Sequence, residues 1–114
     1  MLSSNLLHVT DARESYYFLP EEIIRLQAHD NYTHIYINKR HPFVVSRVLK
    51  CYEEMLKPFG FVRTHRSHLV NQYYIKSVNS NTIEMKDASI AGLSRRKRSG
   101  VIEQLKMALP QTTV

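Results

Sequence analysis

Apolar and polar positions alternate along most of this chain, in runs too short for helices. Leu6–Thr10 and Ser15–Leu19 are brief candidate strands, the second closed by Pro20. Ile23–Ala28 follows, with Ile24, Leu26 and Ala28 expected on one face and polar neighbours on the other. Asp30-Asn31 marks a turn, because both side chains can bond nearby backbone and Asn tolerates positive φ. Tyr32–Ile37 then sets Thr33, Ile35 and Ile37 against Tyr32, His34 and Tyr36. Asn38-Lys39-Arg40 leads on to Phe43-Val44-Val45, which predicts a hairpin. Phe61–His65, Ile75–Val78, Thr82–Met85 and Ser89–Leu93 add short strands. Asn79-Ser80-Asn81 and Lys86-Asp87 separate the last three as in a meander.

Two segments change period. Val48, Leu49, Tyr52, Met55 and Leu56 fall at helical spacing, and Pro58 and Gly60 end that helix. Val101, Ile102, Leu105 and Leu109 form a second stripe stopped by Pro110. Gly100 is a poor helix-interior residue, costing about 1 kcal/mol against Ala, and so places the expected start at Val101. The fold class is therefore mainly β, a β-rich α+β domain with one internal and one C-terminal helix.

The chain has 114 residues, room for a single domain with one core, and 43% hydrophobic residues are enough to build it. No apolar run nears the ~20 residues of a membrane span. Nor does the opening MLSSNLLHVT read as a secretory signal. Cys51, the one cysteine, cannot form an internal disulfide, so the expected setting is a reducing cytoplasm. It lies on the flank of the first helical stripe and reads as a structural thiol.

Charge adds a direction. Residues 1–30 hold two basic and five acidic residues, a net −3, whereas residues 31–114 hold fourteen and five, a net +9. A concentrated positive field suits a polyanion, because each phosphate neutralised releases condensed counterions. A generic basic surface explains the same totals.

Three segments carry more specific chemistry. Ser94-Arg95-Arg96-Lys97-Arg98 places four consecutive cations between a strand and a helix. Ser94 can cap that helix, but cations at a helix N-terminus oppose the macrodipole, so a structural role explains them badly and phosphate or base contact explains them well. Arg63-Thr64-His65-Arg66-Ser67-His68-Leu69-Val70-Asn71 is crowded with long donors. Arg66 can make a bidentate contact with guanine while Ser67 reaches a phosphate. His65 and Asn71 read better as a local network that shapes the turn. In His29-Asp30-Asn31-Tyr32-Thr33-His34, Asn can read adenine and Tyr or Thr can touch phosphate, although turn propensity alone accounts for Asp30 and Asn31.

The six histidines fall into no zinc-ligand spacing, the three glycines make no phosphate loop, and no nucleophile–base set stands out. Neither a metal, a cofactor nor an enzymatic activity is expected.

These landmarks, in order, resemble the LytTR domain, a DNA-binding module of bacterial transcription regulators. Ile23–Ala28 with His29-Asp30-Asn31-Tyr32-Thr33, the helix from Val48 to Leu56, the stretch Phe61–Asn71 and the Leu93-Ser94-Arg95-Arg96 entry cover roughly residues 18–109. Residues 1–17 match loosely, as an N-terminal strand or linker remnant. The resemblance implies elongated antiparallel sheets whose loops, rather than a recognition helix, enter successive major grooves. By that likeness, bases are read at Asn31, Tyr32 and Thr33, at Arg66 and at Arg95. Ser67, Arg96 and Arg98 hold phosphates, and Lys97 belongs with them. Members usually follow a receiver domain or a membrane segment; neither is seen here, so an excised output domain of a two-component response regulator or a single-domain regulator is expected. The expected partner is double-stranded DNA with tandem half-sites, bound by a free monomer that pairs on DNA. The rival readings are a basic module for an acidic protein partner, and an RNA-binding module using Tyr32 and Tyr36 as stacking platforms.

Overall fold

The computed structural model describes residues 6–10, 14–38 and 41–108. Ten strands and two helices run in the order β1 (Leu7–Thr10), β2 (Ser15–Phe18), β3 (Ile23–His29), β4 (Tyr32–Ile37), β5 (Phe43–Val45), α1 (Leu49–Leu56), β6 (Phe61–His65), β7 (His68–Asn71), β8 (Ile75–Val78), β9 (Thr82–Met85), β10 (Ile90–Gly92) and α2 (Arg98–Ala108). All pairings among them are antiparallel. The fold is thus mainly β with one internal and one late helix, in a flattened body of 48 × 38 × 25 Å.

A five-stranded sheet in the order β5-β4-β3-β7-β6 forms the centre, with a β1–β2 hairpin and a β10-β9-β8 meander as separate sheets. One face of the central sheet presents Ile23, Leu26, Ile35, Ile37 and Leu69 to Leu49, Tyr52 and Leu56 of α1 and to Leu7, Val9 and Phe18 of the hairpin. Each such fully buried aliphatic chain contributes about 1.5–3 kcal/mol. A second core lies between the sheet's other face, the meander and α2, and is built from Ile24, Val62, Val70, Ile83, Met85, Ala91, Leu93 and Val101.

Ile23 shares the first core with Leu26, and Ile24 enters the second, because a β-bulge interrupts β3: Ile23 pairs with Ile37, and Arg25 already pairs with Tyr36. This overturns the simple alternation that grouped Ile24 with Leu26 and Ala28. Beyond the bulge, Arg25 lies with its guanidinium carbon 3.9 Å from the centre of the Tyr36 ring. Its Nε donates to Ser89 Oγ at 3.1 Å, and that hydroxyl donates to Asp87 Oδ1 at 2.6 Å, so the buried cation also holds the meander against the central sheet.

Other boundaries differ in informative ways. His68–Asn71 is a strand, β7, where the sequence suggested only a turn-shaping stretch. Its four residues, with Leu69 and Val70 side by side, show no alternation, and pairing with both β3 and β6 fixes the element instead. Helix α1 buries Leu49, Tyr52 and Leu56, while Val48 and Met55 of the expected stripe are exposed. Helix α2 begins at Arg98, three residues before the expected start, so Gly100 is helical; a Cβ there would meet nothing within 4 Å. Leu109 and Pro110, and the turn residues Lys39 and Arg40, lie outside the described residues. Gly60, at φ 88°, closes the short 3₁₀ turn after α1, and its carbonyl accepts from Gln72 N at 3.0 Å. Among the described residues no helix is long and apolar enough to cross a membrane.

Candidate nucleic-acid interface

Three turns meet at one end of the central sheet: Asp30-Asn31 between β3 and β4, Arg66-Ser67 between β6 and β7, and 94–97 between β10 and α2. Backbone bonds tie them in series. Ala28 N donates to Ser67 O at 2.9 Å, joining the first turn to the second. Ser94 N donates to Thr64 O at 2.9 Å, and Thr64 Oγ1 donates to Gly92 O at 2.8 Å, joining the second to the third. Thr64 can do this because β6 bulges between Arg63 and His65, turning its carbonyl away from the β7 ladder.

The Arg66 turn is held from within. Ser67 N donates to His65 Nδ1 at 3.0 Å, which requires a bare, unprotonated Nδ1. Arg63 donates from Nε to His65 O at 3.0 Å, from Nη1 to Glu53 Oε1 at 2.6 Å and from Nη2 to Arg66 O. Arg66 itself is exposed and has no acidic partner among the described residues.

In the third turn, Lys97 N donates to both the carbonyl and the hydroxyl of Ser94, each at 3.1 Å, so Ser94 caps the approach to α2. Arg95 and Arg96 are exposed and free of acidic partners among the described residues, whereas Lys97 and Arg98 are half-buried. Arg98 Nε is buried without a hydrogen-bond partner.

In the first turn, the residue with positive φ is Asp30, at 53°, rather than Asn31. Asn31 and Tyr32 are exposed. Thr33 is not: it is fully buried, and its hydroxyl donates to Arg47 O at 2.6 Å, holding the segment that leads into α1. A hydroxyl so placed cannot reach a base, which corrects its grouping with Asn31 and Tyr32. Tyr36 is likewise no open stacking platform, because Arg25 covers its ring.

Histidines crowd the sheet face beneath these turns. The His29 and His34 rings lie 4.2 Å apart, and His65 and His68 meet edge-on at 5.4 Å. Burial, reinforced by His65, Arg25 and His29, pushes His68 down to about 4, and burial together with His29 lowers His34. His34 and His68 are thereby kept neutral near pH 7. Among the described residues no group of three His, Cys, Asp or Glu is arranged to hold a metal ion.

Two residues matter more than their sequence positions suggest. Arg63 reads in sequence as one donor among several, and its partner Glu53 lies ten residues away on α1. Asn71 departs from the turn-shaping network expected of it: Nδ2 donates to Ile23 O, forty-eight residues away, and Oδ1 accepts from Tyr73 N, both at 3.0 Å, so it ties the end of β7 to β3 instead.

A family model described as the LytTr DNA-binding domain matches residues 13–106. Among solved structures, the chain is similar to the LytTr DNA-binding domain of a Bacillus cereus protein described as a methyl-accepting/DNA response regulator. The TM-score is 0.77 at 19% identity, with 91% of this chain and 99% of that one covered. No curated protein sequence matches. A match spanning most of the chain, on the fold just described, shows that this protein belongs to the LytTR family of DNA-binding domains.

Proposed function

We propose that this domain reads double-stranded DNA in a sequence-specific way, with its three linked turns entering the major groove, and that it acts as a transcription regulator or the output part of one. The observation that carries this reading is the serial tethering of the turns. It gives Arg66 and Arg95 one rigid frame instead of two wandering loops. Asn31, Tyr32, Arg66 and Arg95 contact bases, and Ser67, Arg96, Lys97 and Arg98 hold the backbone. Arginine suits the first role because its planar fork matches guanine O6 and N7. The similar Bacillus cereus domain, described as part of a response regulator, supports a regulatory setting. Pairing of two copies on tandem half-sites follows from the short reach of one such end.

Selection from a random duplex library tests the proposal. A recovered consensus, bound far more tightly than random duplex at physiological salt, is the expected result. Enrichment of no sequence, or equal affinity for single-stranded RNA or an acidic protein, rejects it.

A further inference from the structure

Arg63 uses its guanidinium unlike any other cation at this end. All three of its nitrogens are engaged internally, two of them on consecutive carbonyls of the turn, His65 O and Arg66 O, and the third on Glu53 of α1. Its side chain is only 18% exposed. With three of its five N–H donors spent and little of its side chain exposed, Arg63 is poorly placed to contact a base or phosphate.

What the two carbonyls have in common is Arg66. The His65 carbonyl belongs to the peptide plane before the Arg66 Cα, and the Arg66 carbonyl to the plane after it. Peptide units are planar, so the only soft dihedrals between those planes are φ and ψ of Arg66. Orienting both planes therefore fixes both angles, and with them the direction in which the Arg66 side chain leaves the backbone. Glu53 keeps the guanidinium from rotating about its own long stem by charge-assisted bonding at 2.6 Å.

We infer that Arg63, braced by Glu53, is the positioning residue that aims Arg66, and hence sets specificity without touching DNA. The inference rests on the proposal that Arg66 reads a base. Lysine cannot replace Arg63, because one ammonium lacks the planar fork that spans two carbonyls and a carboxylate.

The test is a double-mutant cycle on the 114-residue chain with Arg63→Lys and Arg66→Ala, read against the library-selected duplex and a random duplex of equal length, at several salt concentrations. Arg66→Ala is expected to lower the ratio of selected to random affinity by on the order of tenfold or more. Arg63→Lys is expected to lower the same ratio with an unchanged salt slope, and to add little once Arg66 is Ala, because the two act through one contact. If Arg63→Lys weakens both duplexes alike and flattens the salt slope, it is a phosphate contact and the inference falls. It falls also if the ratio is untouched by Arg63→Lys while Arg66→Ala collapses it, in which case base reading by Arg66 stands alone. If Arg66→Ala itself leaves the ratio unchanged, base reading at this turn is wrong and the inference goes with it. Should Arg63→Lys not melt cooperatively, Glu53→Ala replaces it under the same criteria; Glu53→Gln, which keeps an acceptor, is expected to restore most of the ratio.

Discussion

The turn bearing Arg66 and the turn bearing Arg95 carry the same side chain at the same end of the sheet, yet they are built differently. The first is clasped on every side: Arg63 holds its carbonyls, His65 its Ser67 amide, and Ala28 its Ser67 carbonyl. The second is held mainly by its own backbone and its ends: Ser94 N donates to Thr64 O, Ser94 caps the approach to α2, Arg98 N donates to Arg95 O at 3.4 Å, and no side chain from another element clasps the Arg95 carbonyl among the described residues. Ordering a long side chain or a loose loop on binding costs about 0.5–1.5 kcal/mol for each chain immobilised. A clasped turn meets part of that cost during folding. The teaching is that equal chemistry at two turns need not mean equal contributions to recognition.

The strongest challenge to this comparison is a pair of truncations. Arg66→Ala and Arg95→Ala are each expected to cost roughly 1–3 kcal/mol on the selected duplex and far less on random DNA, with the larger loss at Arg66. Competition binding on both duplexes checks it, and a larger loss at Arg95 would break the ranking.

Acid should loosen the clasped turn selectively. His68, which closes that hairpin, has a folded pKa of about 4 against an ordinary 6.5. The unfolded chain therefore takes up its proton first as pH falls. The stability that neutral His68 contributes is complete above about 6.5 and is lost between 6.5 and 4, with His34 acting in the same direction. Melting temperature is expected to be lower at about pH 5 than at about pH 7.5, with less change in His68→Gln. Amide protection, taken relative to the intrinsic exchange rate at each pH, should fall in 65–71 before it does in 94–98.

The Arg95 turn should reveal itself through salt. Removing the Arg96 charge is expected to weaken all duplexes alike and make the log–log salt slope shallower by about one unit, as for a single phosphate contact. An unchanged slope would move Arg96 out of the interface.

The smallest effect expected is a gain. Gly100 lies in the first turns of α2 with empty space where a Cβ would go, so Gly100→Ala should stabilise the fold by about 0.5–1 kcal/mol, seen as a higher denaturation midpoint. If it also raises affinity, looseness at the Arg95 turn is what limits that turn.

Much of the fold is legible in the sequence. Alternation located nearly every strand, clustered cations singled out the Arg66 and Arg95 turns, and the hydrogen-bonding side chains of Asn31 and Tyr32 singled out the first. The failures share one cause, dependence on partners distant in sequence. β7 is a strand because β3 and β6 flank it, Ile24 changes face because of a bulge, and Thr33 is withdrawn by the Arg47 carbonyl fourteen residues on. The Arg63–Glu53 pair joins a strand to a helix, which no local pattern announces.

The bulge at Ile24 also constrains how such a chain can change over time. Neighbouring residues of one strand plug into separate interiors, so β3 is a party wall whose two rooms share a single course of bricks. Losing one residue there would straighten the pleat and leave one interior without its isoleucine. An extra residue would turn the wall around. Length changes can accumulate in the outer loops, but this short stretch has to be inherited at constant length.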